Sequence, residues 1–407
     1  MALAIATIEA PHVDEDLRAQ GVEPLVVEWR PPARGDLADV ALLTRAYADD
    51  SVETGNREAL ERLDAARPHL VGAGLAADLV PGMGDRAILH AGPPCDWDRL
   101  APAMRAQVVR AAILEGWAPD QAEAAALIGR GAITLAPADT HGVVAPMCGV
   151  LSPSMAVWAV RDDGTGAGAW APISDGAGDG LPAGSRTRDL IARQRLLADR
   201  VAPGIAAALD ATGPIDLAAL AGTAATMGDV LTARPRAASM LLLEALLPGL
   251  TSRALDAVPA IAALATAGGR LAIPLLAAAS RAALQTTAGA GRSSLVVGMS
   301  GNGTDVAIML AGIPGVWFPA PAPIADDAVF AAGTSTPDAA PWTGDHGVIA
   351  CAGMAIDARL CLDAGEAPGI ATGIASRTDG GWIGEGIVRV PLQAVRDALD
   401  ALVPVGT

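Results

Sequence analysis

Lysine is absent from this chain: all 28 basic residues are arginine. That absence excludes a lysine Schiff base, a lysine-bound pyridoxal phosphate and a P-loop lysine. A phosphate or carboxylate bound here is held by arginine, backbone N–H groups or hydroxyls. Arginine's planar fork suits both anions. Cysteine is scarce. Cys95, Cys148, Cys351 and Cys361 form no C-x-x-C pair, and four in 407 residues make no disulfide framework. A reduced cytoplasm is the expected compartment. The N-terminus lacks the basic and long apolar segments of a signal peptide. Long hydrophobic runs are missing too: the uncharged stretch 142–160 is broken by Pro146, Ser152, Pro153 and Ser154, so no membrane span is read. Basic charge is in deficit. A net charge of −17 and a pI near 4.6 disfavour nucleic acid and anionic membranes as partners. A small anionic substrate stays compatible, because a local arginine pair overrides the global field.

What remains is apolar and small. Hydrophobic residues make up 52% and charged residues 18%, the composition of a globular chain. At 407 residues it is long enough for a large core and two or three lobes. The pattern predicts a mixed α/β, α+β protein. Residues 1–165 read as an N-terminal α/β lobe, with strands at Leu25–Trp29, His69–Gly74, Arg86–His90, Ile133–Pro137 and Ala156–Val160. Asp96 is expected to cap a helix running to about Gly116, and Pro119 to lie at or just before the first turn of one over Asp120–Gly129. Residues 186–290 read as a helical domain in which Met240–Gly249 ends at a Pro-Gly stop. Residues 291–407 return to β character, pack back on the first lobe, and close with a helix from Pro391. Asn302-Gly between two apolar runs predicts a hairpin.

Three Gly/Pro-rich polar clusters interrupt this scaffold: His90–Trp97, Asp139–Met155 and Met299–Asp305. Glycine and proline fix loops whose backbone approaches a ligand closely; tight connections are the plain alternative. Two of the five histidines and two of the four cysteines lie in the first two clusters. His90 ends a strand, where ligands of open α/β sheets bind; it is a candidate acid/base or oxyanion donor. His141 is the stronger candidate, since Asp139 two residues away orients and raises the basicity of an imidazole. Ser152 and Ser154 add hydroxyls. Asn302, Thr304 and Asp305 form the third candidate group, and Gly344-Asp345-His346 is a further polar turn. Met227-Gly-Asp229 precedes Arg234, which is placed to reach an anion. The histidines show no metal-ligand spacing, and no metal or cofactor is expected. Cys95 and Cys148 each lie within seven residues of a histidine, which raises a thiol nucleophile against the plainer reading of a small buried thiol.

Several strings together resemble the YlbE-like family. They are Trp29-Arg-Pro-Pro, Leu89-His-Ala-Gly-Pro-Pro, Glu115-Gly-Trp117, His141-Gly-x-Val-x-Pro-Met-x-Gly-Val, Ser152-Pro-Ser-Met-x-Val-Trp158, Met227-Gly-Asp, Asn302-Gly-Thr-Asp and Gly344-Asp. They occur in family order over roughly residues 25 to 355. The resemblance implies a subunit associated with oxamate carbamoyltransferase of anaerobic allantoin breakdown, a route of purine catabolism. It further implies a multi-subunit complex with an FdrA-type protein similar to acyl-CoA synthetases, and phosphorolysis of oxalurate to oxamate and carbamoyl phosphate. The chain departs from the family where Asp139-Thr140 replaces histidines, where Val230-Leu-Thr-Ala precedes Arg234, and at Gly301, where the family has arginine.

The resulting expectation is carbamoyl transfer on a small carboxylate. Arg234 and the Gly/Pro loops hold anionic groups, with Ser152, Ser154, Asp229, Thr304 and Asp345 as further substrate contacts. His141, oriented by Asp139, moves the proton on the carbamoyl nitrogen. His90 and Asn302 stabilise the carbonyl oxygen, and Asp305 orients a neighbour. One alternative is a non-catalytic binding or scaffold subunit for the FdrA-type partner. Another is a cysteine-dependent amide hydrolase using Cys95 or Cys148. A homo-oligomer is expected.

Overall fold

A strand buried on both faces reads as a continuous apolar run, while a half-buried strand alternates. The segment Ala156-Val-Trp-Ala-Val160 is of the first kind, and it organises the centre of the molecule. A computed structural model gives the structure and describes residues 5–8, 10–27, 29–90, 97–100, 102–145, 149–173, 187–227, 233–266, 271–286, 294–299, 306–310, 313–317, 329–330, 349–350, 353–365, 369–371, 374–375, 387–389 and 392–400. For some helix and strand residues, Asp139 and Arg234 among them, the description is of the backbone alone.

The chain opens with a βαβ unit: β1 (Ala6–Ile8), α1 (Pro11–Ala19) and β2 (Leu25–Val27). The two strands are parallel, with Ala6 opposite Leu25 and Ile8 opposite Val27. Helix α2 (Leu37–Ala48) starts at Asp36, whose carboxylate accepts from the N–H groups of Ala38 and Asp39. Helix α3 (Asp50–Ala65) leads into the central region.

That region holds β3 (Pro68–Leu75), α4 (Ala76–Leu79), β4 (Ala87–His90), α5 (Pro102–Leu114), α6 (Gln121–Gly129), β5 (Thr134–Pro137), β6 (Val150–Leu151), β7 (Ala156–Asp162) and β8 (Gly168–Pro172). One sheet has the order β8-β7-β3-β9, where β9 (Ile215–Asp216) comes from the helical segment that follows. The other is β5-β4-β6, with β4 parallel to β5 and antiparallel to β6. Strand β7 serves two cores. Ala156, Trp158 and Val160 face one cluster, while Val157 faces another with Ile88, Leu89, Val108 and Leu151. Asp162 ends β7 as a turn anchor, accepting from the N–H of Arg67 at 2.6 Å and from the N–H and Oγ1 of Thr165, both at 2.8 Å.

The middle region is helical, as its period predicts: α7 (Thr187–Leu196), α8 (Ala202–Thr212), α9 (Leu217–Ala225), α10 (Ala233–Arg253), α11 (Val258–Thr266) and α12 (Ala272–Gln285). A π turn, Leu197–Val201, joins α7 to α8. These helices cover the Trp158 face of the sheet with fully buried Leu242, Leu246 and Leu250.

The C-terminal region contains β10 (Ser294–Met299), β11 (Val306–Leu310), β12 (Ile313–Trp317), β13 (Val329–Phe330), β14 (Ile349–Ala350) and β15 (Gly353–Asp357). Five of these form an antiparallel sheet, β12-β11-β10-β15-β14. Helix α13 (Ala358–Ala364), strands β16 (Gly369–Ala371), β17 (Ile374–Ala375) and β18 (Ile387–Arg389), and helix α14 (Leu392–Asp400) complete the chain. The last helices return to the first region. Arg396 grips both carboxylate oxygens of buried Asp39 at 2.7 Å, and the Arg359 guanidinium lies 4.8 Å over the Tyr47 ring.

The mixed α/β, α+β class is therefore correct, and two local expectations are revised. Helix α10 does not stop at Pro248-Gly249 but continues to Arg253. Burial of Leu242, Leu246 and Leu250 outweighs the hydrogen bond that proline forfeits. Gly249 has a different role: a Cβ there would collide with the backbone of Ala208 on α8, so glycine permits the close helix crossing. Helix α6 is capped by Asp120, whose carboxylate accepts from the Glu123 N–H, and Pro119 lies just before its first turn as expected. Helix α5 begins at Pro102, after a 3-10 turn at Trp97–Arg99, and Asp96 lies outside the described residues. The strands flanking Asn302-Gly pair antiparallel, Met299 opposite Val306, and their connection also lies outside. Among the described residues no helix is long and apolar enough to cross a membrane.

Candidate functional site

Two of the polar clusters meet at one edge of the β5-β4-β6 sheet. Parallel pairing sets His90, the last residue of β4, beside Pro137, the last of β5. Antiparallel pairing sets the same His90 beside Val150, the first of β6. The chain leaves β5 directly into a 3-10 turn, Ala138–His141. His90 and the turn carrying His141 thus share the carboxyl edge of the parallel pair, where α/β sheets bind ligands.

His141 is partly exposed, and its ring is fixed from far away in the chain. Nδ1 lies 3.0 Å from the carbonyl oxygen of Pro81. A carbonyl only accepts, so Nδ1 carries the hydrogen, and in the neutral ring Nε2 keeps its lone pair for a proton. The orienting group in the structure is this carbonyl; the side chain of Asp139 lies outside the description. The next residue, Gly142, has φ of +72°, and a Cβ there would lie 3.0 Å from Trp170 Cζ3. Both facts demand glycine. Trp170 closes the arrangement through its backbone: its N–H donates to the Gly142 carbonyl at 3.0 Å, and its carbonyl accepts from the Val144 N–H at 2.7 Å.

His90 contrasts with it. Only 1% exposed, it has its pKa pushed down from 6.5 to about 4 by burial, which disfavours the imidazolium. At neutral pH it is an uncharged imidazole, suited to hydrogen bonding an oxygen and not to delivering a charge.

Ser152 and Ser154 separate in role. The Ser152 side chain is fully buried, and its Oγ has no hydrogen-bond partner among the described residues. Ser154 is anchored: its N–H and Oγ both donate to Glu115 Oε1, at 2.9 and 2.8 Å. That hydroxyl hydrogen is committed to holding the 152–155 turn. Arg234 sits in the first turn of α10, where the description is of its backbone. Asp229, Asn302, Thr304, Asp305, Asp345, Cys95 and Cys148 lie outside the described residues. Among the described residues no three His, Cys, Asp or Glu side chains cluster as a metal site.

Sequence reasoning overlooked Pro81, Glu115 and Trp170 as parts of this site. Pro81-Gly82 is an ordinary turn signal, with nothing local to link it to a histidine 60 residues on. Glu115 stood in a recognisable string, but its contact with Ser154 spans 39 residues.

The family model "Oxamate carbamoyltransferase subunit AllG" matches residues 133–346. The chain is 32% identical over 326 residues to the uncharacterized protein YahG of Escherichia coli (strain K12), covering 79% of this chain and 69% of that one. It is 28% identical over 410 residues to oxamate carbamoyltransferase subunit AllG of the same organism, covering 86% and 98%. A solved structure, a conserved protein of unknown function from Enterococcus faecalis V583, shares the fold with a TM-score of 0.60 at 23% identity, over 86% of this chain and 80% of that one.

Proposed function

Since the chain belongs to the family of the oxamate carbamoyltransferase subunit AllG, we propose that it is a subunit of a carbamoyltransferase acting on a small carboxylate. The reaction in this reading is oxalurate plus phosphate giving oxamate plus carbamoyl phosphate. A phosphate oxygen bonds to the ureido carbon, and the bond from that carbon to the oxamate nitrogen breaks. His141 Nε2 takes the proton of the attacking hydrogen phosphate and returns it to the departing nitrogen. Neutral His90 hydrogen-bonds the carbonyl oxygen as negative charge develops on it. Arg234 holds an anionic group, with Asn302, Thr304, Asp229 and Asp345 as further contacts. Asp139 and Asp305 act on neighbouring groups. An FdrA-type protein is the partner subunit, and the residues that depart from the family pattern make this chain a divergent member.

The observation that carries the reading is the His141 ring, held through Nδ1 on the Pro81 carbonyl with Nε2 left to accept. The test is turnover of the chain reconstituted with its FdrA-type partner. His141→Ala is expected to slow phosphorolysis by about 10²- to 10⁴-fold, the usual worth of a positioned proton-transfer group. Full turnover in an assembled His141→Ala complex overturns the assignment and favours a scaffold subunit. Loss of turnover on thiol alkylation, with His141→Ala active, favours the cysteine reading.

A further inference from the structure

The opening βαβ unit is built with its polarity reversed. Its strands carry apolar side chains into solvent: Ile8 is 55% exposed, Leu25 69% and Val26 49%, and Trp29, just past β2, is 54% exposed. The buried side chains of β1 and α1 are polar. Thr7 is the buried residue of β1 and Asp14 the buried residue of α1. The Thr7 Oγ1 and one carboxylate oxygen of Asp14 are shut from solvent with no hydrogen-bond partner among the described residues. Parallel strands occur in sheets covered on both faces, and a two-stranded sheet alone is marginal in water. Unpaired polar atoms cost free energy when buried, and exposed apolar strands invite pairing.

We propose that this unit is the docking face for a different subunit. That subunit adds an extended apolar strand to the β1–β2 sheet and brings a basic side chain to Asp14. The inference rests on reading the chain as a subunit of a complex. Charge complementarity selects the occupant. Residues 5–48 hold eight acidic side chains against four arginines, and the whole chain carries −17. A second copy brings like charge to the same face, whereas a basic segment of another protein matches both the acidity and the unpaired carboxylate. Strand addition matches the apolar ladder.

Hydrogen–deuterium exchange on the full chain, alone and mixed with the FdrA-type protein, tests this. Protection is expected at 6–8 and 25–29. Val26→Glu, at an exposed position that leaves the melting temperature unchanged, is expected to weaken the complex at least tenfold. Asp14→Asn is expected to reduce its salt dependence. A complex that forms with 25–29 unprotected overturns the docking face and leaves the subunit reading standing. No complex at all overturns both. Self-association that Val26→Glu abolishes, without any mixed complex, gives the face to a second copy and overturns the proposal.

Discussion

Strands β7 and β2 are both built on apolar runs and have opposite surroundings. Ala156-Val-Trp-Ala-Val160 is buried along its whole length, with Trp158 fully enclosed. Leu25-Val-Val27 is exposed along its whole length. The apolar run marks a strand in both cases. What differs is coverage: β7 lies between β3 and β8, with helices on one face and the α5–α6 core on the other. Strand β2 has one partner strand among the described residues, and the helix that precedes it buries an aspartate. An apolar strand without cover is a strand waiting for a neighbour, and that difference underlies the proposed interface.

The comparison breaks most sharply at Trp158. Trp158→Ala removes the largest enclosed side chain of β7, and a loss of about 3–5 kcal/mol in denaturant unfolding is expected. A loss below about 1 kcal/mol would mean that this core is not close-packed.

A pH titration of stability sharpens the second contrast, that between His90 and His141. The folded pKa of His90 is depressed from 6.5 to about 4. The unfolded chain therefore binds this proton first as pH falls. The stabilising contribution is whole above about pH 6.5 and is lost as pH drops towards about 4, with a slope of roughly 1.4 kcal/mol per pH unit. His90→Gln is expected to flatten that slope, and an unchanged slope in the variant would remove burial of His90 as its cause.

The smallest effect belongs to β2. Val26→Ala, on the isolated chain, is expected to change stability by no more than about 0.5 kcal/mol, the ordinary range for a surface substitution. A loss of several times that in the chain alone would show that the strand is covered by this same polypeptide.

Much of the scaffold was legible. The strand ending at His90, the strand feeding the His141 turn, the helical middle and the closing helix all follow from period and punctuation. Reading failed where a local signal competed with packing. Pro248-Gly249 has the form of a stop, yet the helix runs on because its leucines are buried on both sides of the pair and Gly249 meets the backbone of α8. The contact of the His141 ring with the Pro81 carbonyl, 60 residues away, left no local trace to read. Ser152 and Ser154 looked alike as loop hydroxyls. One is enclosed with an unpaired oxygen, and the other is tied to Glu115.

The sequence by itself determined which segments are strands and helices, that any bound anion meets arginine and not lysine, and that His90 ends a strand. Those properties depend on residues within a few positions of each other, where sterics and side-chain period act directly. Tertiary structure alone decided that Pro81 fixes the His141 tautomer, that Glu115 holds the Ser154 turn, that His90 is buried enough to stay uncharged, and that β7 is covered while β2 is not. Each of these depends on groups far apart in the chain, and no local pattern encodes which distant backbone atom or apolar surface the fold will bring alongside.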